Sequence, residues 1–179
     1  KVFLINKPSG FVSSCKDQFG RPTILELLPK NSRKGLYPVG RLDMNSRGAI
    51  LLTNNGELTL KLTHPRYQHT KIYLVWLRGN LSNDKLNQWR KGVLLDEKLT
   101  LPSKIKFIWS DSNQTLLEIC LREGRNRQIR RIAELLGHPV IDLLRTEIGG
   151  ISLKGMPEGT WRKLDKTEWQ PILDLNMNH

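Results

Sequence analysis

Between Gly40 and Gly48 the chain reads Gly-Arg-Leu-Asp-Met-Asn-Ser-Arg-Gly, and it runs without a break into Ala49-Ile50-Leu51-Leu52-Thr53-Asn54-Asn55-Gly56. A polar turn bounded by glycines and feeding an apolar strand limits the fold more than any other stretch. The strand has to be buried, which leaves the turn at a strand edge. Asp43 stands in that turn between Arg41 and Arg47. A carboxylate kept ionised by cationic neighbours at a strand edge suits a nucleophile or a base. The same pattern also describes many surface ion pairs.

The remaining elements surround that strand. Val2–Ile5 reads as a buried strand closed by the turn cluster Asn6-Lys7-Pro8-Ser9-Gly10. Pro22–Leu28 predicts a short amphipathic helix, and Glu57–Leu62 a helix broken by Pro65. Lys71–Leu77 is β-branched and aromatic on both faces, as in a central strand. Asn83 is the expected cap of a helix through Leu86 and Trp89, ending near Gly92. Strands over Lys104–Trp109 and Thr115–Leu121 flank the hairpin turn Asp111-Ser112-Asn113. The spacing of Ile129, Ile132, Ala133 and Leu136 predicts a helix over 125–136, and Val140–Leu144 is a further strand. This order implies an α+β fold with a mixed, mostly antiparallel sheet flanked by helices, as one domain or two closely packed lobes.

Composition narrows the function. Lysine and arginine number 29 against 17 acids, a formal charge of +12. Such an excess suits a polyanion, because neutralised phosphates release counterions; a solvated basic surface is the plainer reading. With 179 residues, 38% of them hydrophobic, a sizeable core is expected rather than disorder. Cys15 and Cys120 are too few for a disulfide framework, which favours a reducing cytoplasm, and Cys120 reads as structural. No run approaches the length of a membrane span. His64, His69, His138 and His179 are scattered, so no metal site is expected. A start at Lys1 followed at once by a strand suggests a chain that begins inside a longer protein.

Three further stretches carry chemistry in order: Lys71-Ile72-Tyr73, then Glu123-Gly124-Arg125-Asn126-Arg127-Gln128-Ile129-Arg130-Arg131, then Leu143-Leu144-Arg145-Thr146-Glu147-Ile148-Gly149. Together with Asn6–Gly10 and the Gly40–Gly48 turn, this ordered set resembles the pseudouridine synthase family, in its RsuA/RluB/RluE-type ribosomal RNA subgroup. The resemblance runs from about Val2 to Trp161. It implies one catalytic domain over 1–179, without the small N-terminal RNA-binding domain that many relatives carry. It also implies an isomerase that turns a ribosomal RNA uridine into pseudouridine. The target leans to the large-subunit RNA; the small-subunit RNA, or a catalytically inactive ribosome-assembly factor, are the alternatives.

Residue by residue, the resemblance makes Asp43 the catalytic aspartate. Tyr73 is then the ring that stacks on the target base, and Arg130 the arginine that pairs with the aspartate. Arg41 lies near the flipped nucleotide, and Leu143, or else Leu144, lies under the target ring. Burial alone favours a neutral acid, and an opposed guanidinium restores the carboxylate; its planar fork grips better than an ammonium. Arg125, Arg127 and Arg131 are expected near RNA phosphates, since clustered arginines repel unless anions are close. Arg47, Arg66 and Arg145 are expected to make backbone contacts only. No cofactor is called for, and the partner is ribosomal RNA or a ribosome-assembly intermediate, met by a monomer. The plainer readings are a surface ion pair for Asp43, core packing for Tyr73 and a solvated helix face for the arginines. Trp76 and Trp109 are expected in the core, with Trp89, Trp161 and Trp169 left open.

Overall fold

Every position of Val2–Lys7 is buried, so the first strand has structure against both of its faces. The computed structural model describes residues 1–175, and His179 lies outside them. In chain order the strands are β1 (Val2–Lys7), β2 (Tyr37–Val39), β3 (Arg47–Thr53), β4 (Lys71–Arg78), β5 (Leu94–Leu95), β6 (Lys98–Leu99), β7 (Lys104–Ser110), β8 (Gln114–Leu121), β9 (Val140–Ile148), β10 (Ile151–Ser152) and β11 (Trp161–Lys163). The α-helices are α1 (Gly56–Thr63), α2 (Asn83–Lys91), α3 (Gln128–Leu135) and α4 (Lys166–Asp174). The α+β class is as expected. The chain divides into two units, Lys1–His69 with the chain from Arg145 onward, and Thr70–Leu144.

In the first unit β1 pairs antiparallel with β3 on one side and β11 on the other, and β2 also pairs with β3. Phe3 and Ile5 of β1 meet Ile50 and Leu52 of β3 on one face, packed with Ile24, Leu28, Leu36 and Leu42. Leu4 and Leu51 on the other parity are equally buried, as are Leu58 and Leu62 of α1. The expected helix over 22–28 is a single 3-10 turn, Ile24–Leu27, opened by a capping box from Thr23 to Glu26. Leu28 is extended because Pro29 follows it, and a residue before proline is pushed out of the helical region.

In the second unit β4 pairs antiparallel with β8 from Lys71↔Leu121 to Arg78↔Gln114, and β8 pairs antiparallel with β7. One face of this sheet holds Tyr73, Val75, Leu77, Leu117 and Ile119, closed by Leu86 and Trp89 of α2 and Ile129, Ile132 and Ala133 of α3. The cap of α2 is Ser82 rather than Asn83: its hydroxyl accepts from Lys85 N at 3.3 Å. The tryptophans divide by sheet face. Trp89 is 1% exposed, whereas Trp109 stands on the edge strand at 38%, and Trp76 alternates onto the half-covered face. Core packing of Trp109 is therefore not found, because β7 has a neighbour on one side only.

Candidate active site

Lys7 organises the Asp43 turn. It shares strand parity with Phe3 and Ile5, so its side chain enters the interior, where it is 0% exposed. There Nζ donates to Ser46 O at 2.6 Å, Pro8 O at 3.0 Å and Met44 O at 3.2 Å. Two of those carbonyls bracket the turn, which Ser46 N closes by donating to Asp43 O at 2.9 Å. Gly10 N donates to Met44 O at 2.8 Å, and Ser13 Oγ both donates to Leu42 O and accepts from Leu42 N. Leu42 is anchored in the core while Asp43, one residue on, is half-buried. Burial lowers the Lys7 pKa to about 8; Asp43 and Glu158 oppose that shift and Arg145 adds to it.

Arg145 corrects an expectation. It is 3% exposed, and its Nε donates to Ala49 O at 2.7 Å. A contact to RNA backbone is therefore closed to it; the residue ties β9 to β3. Gly48 makes this approach possible, since a Cβ there would lie 2.2 Å from Arg145 O. Arg41 is exposed, and Arg47 Nη1 lies 3.5 Å from Glu158 Oε2 in an ion pair.

In the second unit Tyr73 and Leu143 lie in one core cluster, 8% and 4% exposed, with Ile129 and Ile132 of α3. Leu144 is half-buried. The expected helix over 125–136 starts later, at Gln128, because Arg127 is left-handed at φ 47° and the preceding residues form a polar knot. Gln128 is 3% exposed; its Oε1 accepts from Arg125 N, and its Nε2 donates to Glu123 Oε1 at 3.0 Å. Arg125 donates through Nη1 to Lys98 O at 3.0 Å and through Nη2 to Leu95 O. Arg131 pairs with Asp96 at 2.6 Å. Arg125 and Arg131 are thus both engaged within the protein. Arg127 is exposed and Arg130 half-buried on α3.

The family described as RNA pseudouridylate synthase matches residues 1–135. The chain belongs to that family. It is 38% identical over 168 residues to the ribosomal large subunit pseudouridine synthase B of Bacillus subtilis (strain 168), covering 93% of this chain and 68% of that protein. Against the ribosomal large subunit pseudouridine synthase E of Vibrio vulnificus (strain CMCP6) the identity is 35% over 178 residues, covering 92% and 75%. A crystal structure of a pseudouridylate synthase superposes with a TM-score of 0.86 at 31% identity, over 96% of this chain and 73% of that one. The archaeal box H/ACA Nop10–Cbf5 complex shares the fold at 17% identity and a TM-score of 0.60, over 84% of this chain and 48% of that one.

A pseudouridine synthase breaks the N-glycosidic bond of uridine and rejoins the freed base through carbon 5, an isomerisation without net redox change. The reacting groups must be held still for this. In this pseudouridine synthase the turn at Asp43 is fixed by backbone carbonyls gathered on a buried ammonium. Lys7 is the site residue that reading the sequence missed, taken there as part of a turn cluster. Its odd parity with Phe3 and Ile5 was the available signal. No helix among the described residues is long and apolar enough to cross a membrane.

Proposed function

We propose that this pseudouridine synthase isomerises a uridine of large-subunit ribosomal RNA, with Asp43 as the carboxylate that engages the nucleoside. The observation that carries the substrate is the likeness over more than nine-tenths of the chain to enzymes named for that subunit. Support for Asp43 comes from the fixed turn in which it sits, half-buried beside the Lys7 charge. The N1–C1′ bond breaks, C1′ bonds to carbon 5, the carbon-5 proton leaves and N1 regains one, so no cofactor is assigned. Tyr73 is proposed to stack on the base, Leu143 to pack beneath it, and Arg130 to keep the acid ionised. Arg41, Arg47 and Arg127 are proposed to serve the surrounding RNA. The chain acts as one catalytic domain, in the cytoplasm, as a monomer on ribosomal RNA or an assembly intermediate.

Tritium release from carbon 5 tests the proposal. Large-subunit RNA labelled at that carbon, taken from cells lacking the enzyme, releases tritium with wild-type protein, and small-subunit RNA releases none. Asp43→Ala binds the RNA and releases none. Normal turnover by that variant removes Asp43 from the chemistry, and release from small-subunit RNA alone transfers the substrate. Arg130→Met lowers turnover much more than RNA affinity; equal loss of both marks a phosphate contact.

A further inference from the structure

Lys7, Gly48 and Arg145 follow one another across the sheet of the first unit. Lys7 and Gly48 are cross-strand partners in the antiparallel pairing of β1 with β3. Gly48 in turn lies against the backbone of Arg145, where a Cβ would fall 2.2 Å from the carbonyl oxygen and 2.6 Å from the nitrogen. The residue between the two cations thus contributes no side chain, and both cations are buried. Lys7 holds the Asp43 turn through Met44 O and Ser46 O. Arg145 holds the exit of that turn, its Nε donating to Ala49 O at 2.7 Å. The segment from Met44 to Ala49 is gripped at both ends by positive charge.

A tie between strands does not require a charge. A neutral amide donates to a carbonyl without the desolvation of a buried ion. Arg145 carries three penalties that such a donor avoids. Its guanidinium is withdrawn from water, and its Nη2 is buried with no hydrogen-bond partner among the described residues. It also repels the Lys7 ammonium, on which Asp43 and Glu158 act with the opposite sign. That repulsion has a geometric consequence. An ammonium on a flexible four-carbon stem has several places to go. A fixed positive charge across Gly48 disfavours those away from Pro8 O, Met44 O and Ser46 O, where three carbonyl dipoles compensate.

We propose that Arg145 is a positioning residue for the isomerisation, its buried charge confining the Lys7 ammonium to the carbonyls that shape the Asp43 turn. This rests on the reading of Asp43 as the carboxylate that engages the nucleoside. Glutamine separates the charge from the tie, because its Nε2 is as many bonds from Cα as the Nε of arginine.

Tritium release from carbon-5-labelled large-subunit ribosomal RNA, followed across pH, tests the proposal. Arg145→Gln is expected to lose about tenfold in kcat, with KM unchanged and Tm not lowered. Its alkaline limb of kcat/KM moves from near 8 to higher pH, because the repulsion from Arg145 has gone. Arg145→Met loses the tie as well, and its Tm falls together with kcat. Wild-type kcat in Arg145→Gln beside a loss in Arg145→Met marks a strand tie only and overturns the proposal. A loss in Arg145→Gln with an unmoved limb also overturns it, since the residue then does not act through Lys7. If Arg145→Gln does not fold, Glu158→Gln makes the comparison with the other sign: it removes an acid that opposes the Lys7 shift, so the limb moves below 8, and an unmoved limb is fatal. Normal turnover by Asp43→Ala defeats the reading of Asp43 instead, and the limb of Arg145→Gln still decides whether its charge acts on Lys7.

Discussion

The turn that carries Asp43 and the arginine-rich approach to α3 look alike in sequence, since each is a short polar stretch crowded with cations. They are built on opposite principles. At the Asp43 turn the organising cation is Lys7, which is fully buried and donates to Pro8, Met44 and Ser46 carbonyls. At α3 the organising cations are Arg125 and Arg131, both half-buried, bonded to a hairpin backbone and to the exposed Asp96. Desolvation therefore acts on Lys7 strongly enough to lower its pKa to about 8, and loop geometry becomes tied to one proton. An arginine keeps its charge at any ordinary pH, so the geometry at the start of α3 is not tied to a proton.

The largest expected effect lies at Gly48. Gly48→Ala places a Cβ against the backbone of Arg145, at a φ of 117°, and neither side can yield without breaking strand contact. A loss of about 4 kcal/mol, or roughly 10 °C in Tm, is expected in thermal unfolding. Gly137→Ala in the other unit meets only the flexible Lys85 Nζ at 3.6 Å, so it costs backbone strain alone, about 1 kcal/mol. Equal shifts in Tm would erase the contrast between a close approach and an ordinary helix end.

Lys7→Met comes next. It keeps most of the side chain's length and removes the ammonium that three carbonyls share, of which Met44 O keeps the Gly10 N–H. Release of the desolvation cost offsets part of that loss, so stability falls by only about 1–2 kcal/mol. Turnover falls further, about a hundredfold, because the turn that aims Asp43 loses its fixed shape. RNA affinity stays at the wild-type value, since Lys7 has no exposed surface. Turnover within twofold of wild type would show that the turn is held by Ser13 and Gly10 without the lysine.

These two positions also mark where the sequence could and could not be read. Strands such as β4 and β8 follow from local β-branched and aromatic composition, and the α+β class follows from their order. The turn and Asp43 were legible as a motif. Lys7 was not, because a lysine next to Pro8 and Gly10 reads as surface, and only its parity with Ile5 argues otherwise. Arg145 was misread for a related reason. Its burial depends on Gly48, nearly a hundred residues away in sequence, lacking a side chain. The start of α3 failed locally: the Gln128 side chain accepts from Arg125 N in place of a helical turn, and the helix starts at Gln128.

The Lys7 proton gives an effect of unusual sign. Its folded pKa, about 8, lies below the ordinary 10.5, so between those values the unfolded chain holds a proton that the folded one has released. Stability contributed by this group therefore rises as pH climbs from 8 to 10.5, by at most about 3 kcal/mol. Turnover moves the other way. A neutral amine has one hydrogen fewer to share among three carbonyls, and it no longer attracts Asp43 or Glu158. The alkaline limb of kcat/KM is expected at an apparent pKa near 8, and Lys7→Met flattens it. A limb that survives unchanged in that variant belongs to another group.

The smallest effect concerns two cations at the start of α3. Arg127 is exposed at the start of α3, and Arg127→Gln is expected to weaken RNA binding and to reduce the salt slope by about 0.9, one phosphate's worth. Arg131 forms an ion pair with Asp96 at 2.6 Å, and the pair holds the Asp96 carboxyl below its usual range. Removing both charges together, as Arg131→Gln/Asp96→Asn, leaves the net charge as it was and should leave the slope unchanged. A slope reduced equally by the two variants would mean that Arg131 leaves Asp96 for a phosphate when RNA binds, and the arginine-rich approach would then act as one binding surface.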